Sequence, residues 1–179
     1  MAVRLKQWLT QFCMWHEQYR KGELAAEILP VYREARGDLT SILVVAQRLE
    51  IRTDGARRAL RMARALQVEL DLPEGEVRAL TQDISTSGLS ALVGSAPPVG
   101  ALVSFRLKMG RDVEPIVGRA RVVAAIPVQG SVRMAIAFDN VGEAAQERIE
   151  DLVLDAICAE IRTTLLRTSQ VIPAHLVRP

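Results

Sequence analysis

The chain reads as an α+β protein, with a six-stranded antiparallel β-barrel flanked by an N-terminal helical region and a long C-terminal helix. Three observations predict this. Apolar residues recur at three- and four-residue steps through roughly the first fifty positions. The period then changes to two after Ala65 and persists to about Phe138, and the helical period returns from Gly142. The chain divides accordingly into a helical region (1–51), an arginine-rich linker (52–65), the barrel (66–140), a C-terminal helix (141–168) and a tail (169–179).

Leu5, Trp8, Leu9, Phe12, Trp15 and Tyr19 mark one face of a first helix, which Gly22 ends. Glu23 to Ala35 reads as a second helical piece that Pro30 either breaks or starts. Asp38 then reads as the N-cap of a third helix with the stripe Leu39, Ile42, Leu43, Ala46 and Leu49. Both tryptophans and both tyrosines fall in this region. Apolar residues at helical spacing usually pack, so these are expected to hold the helices on the barrel or on one another rather than to form a docking surface.

After Ala65, Leu66, Val68, Leu70 and Leu72 alternate with Gln67, Glu69 and Asp71, and Pro73-Glu74-Gly75 turns the chain. Strands are expected at Val77–Ile84, Gly88–Val93, Ala101–Met109 and Ile116–Val128, and after a tight Gln129-Gly130 turn through Val132, Met134, Ile136 and Phe138. Six short strands separated by turn signals favour a small closed barrel, because closure removes exposed edges. Ile149, Leu152, Val153, Ala156, Ile157, Ile161 and Leu165 form the stripe of a last helix of about 24 residues, on the order of 36 Å long. That exceeds what one barrel mouth needs, so the helix has length to pack on the N-terminal helices or on a second subunit. The proline-containing tail is expected to fray.

Composition narrows the function. With 49% hydrophobic and 25% charged residues, the 179-residue chain is of globular type, and a formal charge of +2 does not call for a nucleic-acid partner. Cys13 and Cys158 lack metal-ligand spacing and read as buried, reduced thiols. Arg4, Lys6, Gln7, Thr10 and Gln11 interrupt any signal-like stretch, and no run approaches the ~20 apolar residues of a membrane span, so a cytoplasmic protein without membrane insertion is expected. No Walker loop, HExxH or nucleophile elbow is present, and the two histidines, His16 and His175, lie outside the barrel segments. The expectation is not an enzyme, with no catalytic residues, metal or cofactor.

The local concentration of charge is more informative. Five arginines stand between Arg52 and Arg64 against the single Asp54. Arg57 and Arg61 form an RxxxR segment, and Asp83, Ser85 and Gly88 form a DxSxxG turn beyond one alternating strand. In this order and separation the two motifs resemble the PilZ family of bacterial receptors for the second messenger cyclic di-GMP, over roughly residues 57–140. The resemblance implies a PilZ-like barrel with cyclic di-GMP as ligand. It assigns ligand binding to Arg57, Arg61, Asp83, Ser85 and Gly88, with the neighbouring Arg58 in reach of phosphate. The chemistry is apt: guanidinium forks match phosphate oxygens and guanine O6/N7, and a carboxylate accepts from guanine N1–H and N2–H₂. The bland alternatives are a solvated basic face for the arginines and a simple β-turn for Asp83 to Gly88. The resemblance further implies a receptor that changes conformation and signals to a downstream protein partner. The competing function is a PilZ-like adaptor that binds no nucleotide and acts through its helices.

Overall fold

The computed structural model of the chain describes residues 2–50, 60–110 and 113–170. It divides into two compact units, Gly55–Val153 and Met1–Asp54 together with Leu154–Pro179.

The first unit is the barrel. Its strands are β1 (Arg61–Ala63), β2 (Gln67–Leu72), β3 (Gly75–Ser85), β4 (Gly88–Val93), β5 (Leu102–Leu107), β6 (Ile116–Val128) and β7 (Ser131–Asn140). All pairings are antiparallel, in the order β1-β3-β2-β5-β6-β7-β4, and β4 pairs back onto β3 so that β2 to β7 close on themselves. The six expected strands are therefore present. Their inward residues make the core: Val68, Leu70, Ile84, Leu89, Ala91, Phe105, Leu107, Val122, Met134 and Ile136 are all buried. Gln129 (φ 42°) and Gly130 (φ 82°) take left-handed conformations between β6 and β7, as a two-residue hairpin turn requires.

The seventh strand lies inside the stretch read as a linker. Arg61–Ala63 is built of helix formers, yet it is extended. β2 covers one edge of β3 only from Gly75 to Leu80, and β1 takes the continuation of that edge, pairing Arg61 with Ser85 and Ala63 with Asp83. Three paired backbone positions outweigh helix propensities that differ by only tenths of a kcal/mol per residue. Between β1 and β2 the ladder breaks, and the Thr81 hydroxyl bridges it, donating to the Arg64 carbonyl and accepting from the Leu66 N–H at 2.9 Å.

The second unit is helical. It contains α1 (Ala2–Lys21), α2 (Leu29–Glu50) and the portion from Leu154 onward of α3 (Glu143–Gln170). The expected break at Asp38 does not occur, because α2 runs through Gly37 and Asp38 without interruption. Tyr32, Ala35 and Leu39 are buried at helical spacing on either side of Gly37, and that shared face holds the helix together despite the roughly 1 kcal/mol cost of an interior glycine. Pro30 sits in the first turn, where its missing N–H has no intrahelical partner to lose. Trp8, Phe12, His16 and Tyr32 follow one another as ring contacts with centroids 5.9–6.1 Å apart, and Tyr19 lies 4.9 Å from Tyr32. Trp8, Phe12, Tyr19 and Tyr32 thus pack within the unit.

Candidate ligand site on the barrel exterior

Register assembles the site. Side chains alternate across a strand, so Arg61 and Ala63 of β1, Asp83 and Ser85 of β3, Gly88 and Ser90 of β4, and Arg133 and Ala135 of β7 share the outer face. The pairs Ala63↔Asp83, Asp83↔Ser90 and Ser90↔Ala135 form one row across four strands. A bulge between Thr81 and Asp83 precedes the carboxylate, a placement bulges commonly take where a side chain must be aimed.

Asp83 is the centre. Arg61 Nη1 donates to its Oδ1 at 3.1 Å; Ser90 Oγ at 2.6 Å and Arg133 Nη2 at 2.7 Å both donate to its Oδ2. The carboxylate is 16% exposed and the two guanidinium side chains 34% and 45%, so the cations cover it from the solvent side. A carboxylate has about four acceptor positions. Among the described residues three are occupied, both of those on Oδ2.

Ser85 and Gly88 form the adjoining turn. Ser85 is fully buried; its hydroxyl donates to the Gly88 carbonyl at 3.1 Å, accepts from the Ser87 N–H at 3.3 Å and lies 3.1 Å from the Ser87 hydroxyl. This pins the Thr86-Ser87 connection between β3 and β4. Gly88 is required by a neighbouring strand: a Cβ there would lie 2.1 Å from the Ile136 carbonyl oxygen of β7. Glycine at this position is what allows β4 to approach β7 and the barrel to close.

Of the sequence-predicted residues, the structure brings Arg61 and Asp83 into direct contact and places Ser85 and Gly88 in the turn beside them. Arg57 and Arg58 lie outside the described residues. Sequence reasoning missed Ser90 and Arg133. Ser90 carried a weak signal, two positions beyond Gly88 on the same alternating face. Arg133 carried none, since only the pairing of β4 with the distant β7 brings it to Asp83. Among the described residues, no group of His, Cys, Asp and Glu is arranged to hold a metal ion, and no helix is long and apolar enough to cross a membrane.

His16 is similarly explained. Its Nδ1 lies 2.7 Å from the Tyr32 hydroxyl and its Nε2 2.9 Å from Asp155 Oδ1, so both ring nitrogens are used inside the helical unit. Burial pushes the Asp155 carboxyl up, but the His16 hydrogen bond and the Arg20 guanidinium outweigh it and hold the group below the usual range.

A closed six-stranded barrel with a short preceding strand carries, on its outer wall, a carboxylate gripped by arginines. The profile of the PilZ domain family matches residues 56–155, more than half of the sequence, and the chain belongs to that family. No curated protein matches it. Solved structures share the fold. YcgR from Escherichia coli in complex with c-di-GMP is 17% identical with a TM-score of 0.53, over 63% of this chain and 50% of that one. The Bacillus subtilis inhibitor of motility MotI/DgrA is 18% identical with a TM-score of 0.51, over 56% and 50%. The MrkH–c-di-GMP complex of K. pneumonia is 18% identical with a TM-score of 0.51, over 61% and 56%. The alignments thus span little more than half of each of these proteins.

Proposed function

We propose that the chain is a cytoplasmic receptor for cyclic di-GMP, with Asp83 and Arg61 at the centre of its site and Arg57, Arg58, Ser85 and Gly88 contributing. The observation that carries this reading is the outward-facing Asp83 carboxylate held by Arg61 and Arg133. Arg61, the last residue of RxxxR, meets Asp83, the first of DxSxxG, at this point, and two of the similar solved structures are complexes with c-di-GMP. Guanine presents two adjacent donors, N1–H and N2–H₂, and a carboxylate meets both only with one position open on each oxygen. Oδ2 of Asp83 is filled by Ser90 and Arg133. Ligand binding therefore displaces one of them, and Arg133, half-exposed on a long side chain, is the one that yields. The freed guanidinium stays beside the incoming phosphates, so the exchange replaces an internal ion pair with contacts to ligand. β1 already holds Arg61 on the barrel, so the conformational change on binding concerns the chain ahead of it, and that change is what a downstream protein partner reads.

A second reading is favoured by the same saturation. Asp83 and Ser85 already satisfy internal partners, which suits an adaptor that binds no nucleotide and works through its helices. Calorimetric titration with cyclic di-GMP separates the two, using GTP and cyclic di-AMP as controls, on wild type and Arg61→Ala. Selective binding that the substitution weakens supports the receptor; absence of binding heat and of thermal stabilisation by the ligand leaves the adaptor.

A further inference from the structure

The helical unit contains a pair of thiols that the ligand site does not use. Cys13 of α1 and Cys158 of α3 are 145 positions apart in sequence, yet the Cys13 sulfur lies 4.0 Å from the Cys158 carbonyl oxygen. Both thiols are reduced and both side chains are buried. A sulfur this close to the backbone of the other cysteine makes the two residues direct neighbours across two helices, an arrangement from which a disulfide can form. They also share a cleft that opens between the helices, lined with them by His16, Glu17, Asp155 and Arg162, which gives a small polar reagent a route inward.

We propose that Cys13 and Cys158 form a reversible oxidation site, at which a peroxide converts the two thiols into a disulfide joining α1 to the C-terminal part of α3. The surroundings make the pair unequal. The Cys158 hydrogen bond lowers the Cys13 thiol below its ordinary range, and the Arg162 charge adds to this against the opposing effect of burial. The same hydrogen bond and burial push the Cys158 thiol up. Arg162 is itself anchored there, donating to the Cys13 carbonyl at 3.1 Å and to Glu17 at 2.7 Å. Cys13 is therefore the attacking sulfur and Cys158 the resolving one.

In the first step the Cys13 thiolate attacks one peroxide oxygen. An S–O bond forms, the O–O bond breaks, and hydroxide leaves and takes up the proton released by Cys13. The sulfur is oxidised by two electrons to the sulfenic acid and the peroxide is reduced to water. In the second step the Cys158 sulfur attacks the Cys13 sulfur. An S–S bond forms, the S–O bond breaks, and the departing hydroxide takes the Cys158 proton. Two thiols and one hydrogen peroxide give one disulfide and two waters. A reducing thiol reverses the link.

The experiment treats the full chain with hydrogen peroxide, labels remaining thiols with a maleimide under denaturing conditions, and reads intact mass. The expected result is two labelled thiols before treatment and none after, with the chain still monomeric on a non-reducing gel, a Cys13–Cys158 linked peptide in the digest, and full return of labelling with dithiothreitol. In Cys158→Ala, oxidation stops at a Cys13 sulfenic acid that dimedone traps, whereas Cys13→Ala gives no adduct at Cys158. If both thiols of the wild type stay labelled, or if only intermolecular disulfides or sulfinic acids form, the pair is ordinary core packing and the proposal is overturned. The wild-type measurement decides this even where a substituted chain fails to fold. It is also independent of whether cyclic di-GMP binds.

Discussion

The two units place their charged and titratable side chains differently. In the barrel, strand alternation keeps the interior apolar and sends charge outward, so that Arg61, Asp83 and Arg133 meet on the exterior. The helical unit turns His16, Tyr32 and both cysteines inward. Burying an unpartnered polar group is costly, and His16 has Tyr32 and Asp155. Inward polar groups are thus held in place by the fold they support. A polar cluster on an outer sheet face can exchange partners without disturbing the core, which is the property a ligand site needs.

That contrast can be broken or sharpened by substitution. The largest effect is expected from Phe12→Ala, which empties a fully buried position of the aromatic stack and costs about 3–5 kcal/mol. Both tryptophans lie in the helical unit, so urea unfolding followed by tryptophan fluorescence reports this loss directly. Gly88→Ala, with its Cβ driven against the Ile136 carbonyl, is expected to destabilise the barrel by about 3 kcal/mol through β4–β7 separation, seen as a lowered far-UV melting transition. A wild-type melt in this variant would mean that β4 and β7 accommodate the added methyl and that the barrel does not require glycine there.

Arg61→Ala tests the exterior. Stability should change by less than about 0.5 kcal/mol, whereas affinity for cyclic di-GMP falls about ten- to a hundredfold, as loss of a bidentate arginine contact implies. A large stability loss without an affinity change would make the cluster structural and erase the contrast. Arg133→Ala should weaken the same binding by about three- to tenfold, since it removes one charged contact while freeing Oδ2 of Asp83. Tighter binding would instead mean that Arg133 only competes with ligand.

The smallest effect concerns acid stability of the helical unit. The folded carboxyl of Asp155 is depressed below its unfolded value, so its contribution is present above about pH 3.9 and is lost as pH falls through the lower folded value. The group is 43% exposed, so screening keeps the effect below about 1 kcal/mol. Asp155→Asn should flatten this part of the stability profile measured between pH 5 and pH 2.

Much of the barrel was legible because its strands alternate cleanly: Ile116 to Val128 and the Gln129-Gly130 turn fall where the pattern put them. The helical region was less legible. Gly37-Asp38 has the local signature of a boundary, and only the continuous buried face of Tyr32, Ala35 and Leu39 overrides it. Likewise Arg61–Ala63 has helical propensity, and only the uncovered edge of β3 makes it a strand.

Period, turn chemistry and two short motifs were sufficient to specify the class of fold and to nominate Arg57, Arg58, Arg61, Asp83, Ser85 and Gly88 as candidates, because each is a local property of a few neighbouring residues. Pairings between distant segments decided the rest. The β4–β7 register delivers Arg133 to Asp83, the approach of the same strands makes Gly88 necessary, and α1 and α3 set Cys13 against Cys158. Such contacts depend on which strands and helices become neighbours, and that is settled by burial and backbone hydrogen bonding summed over the whole chain.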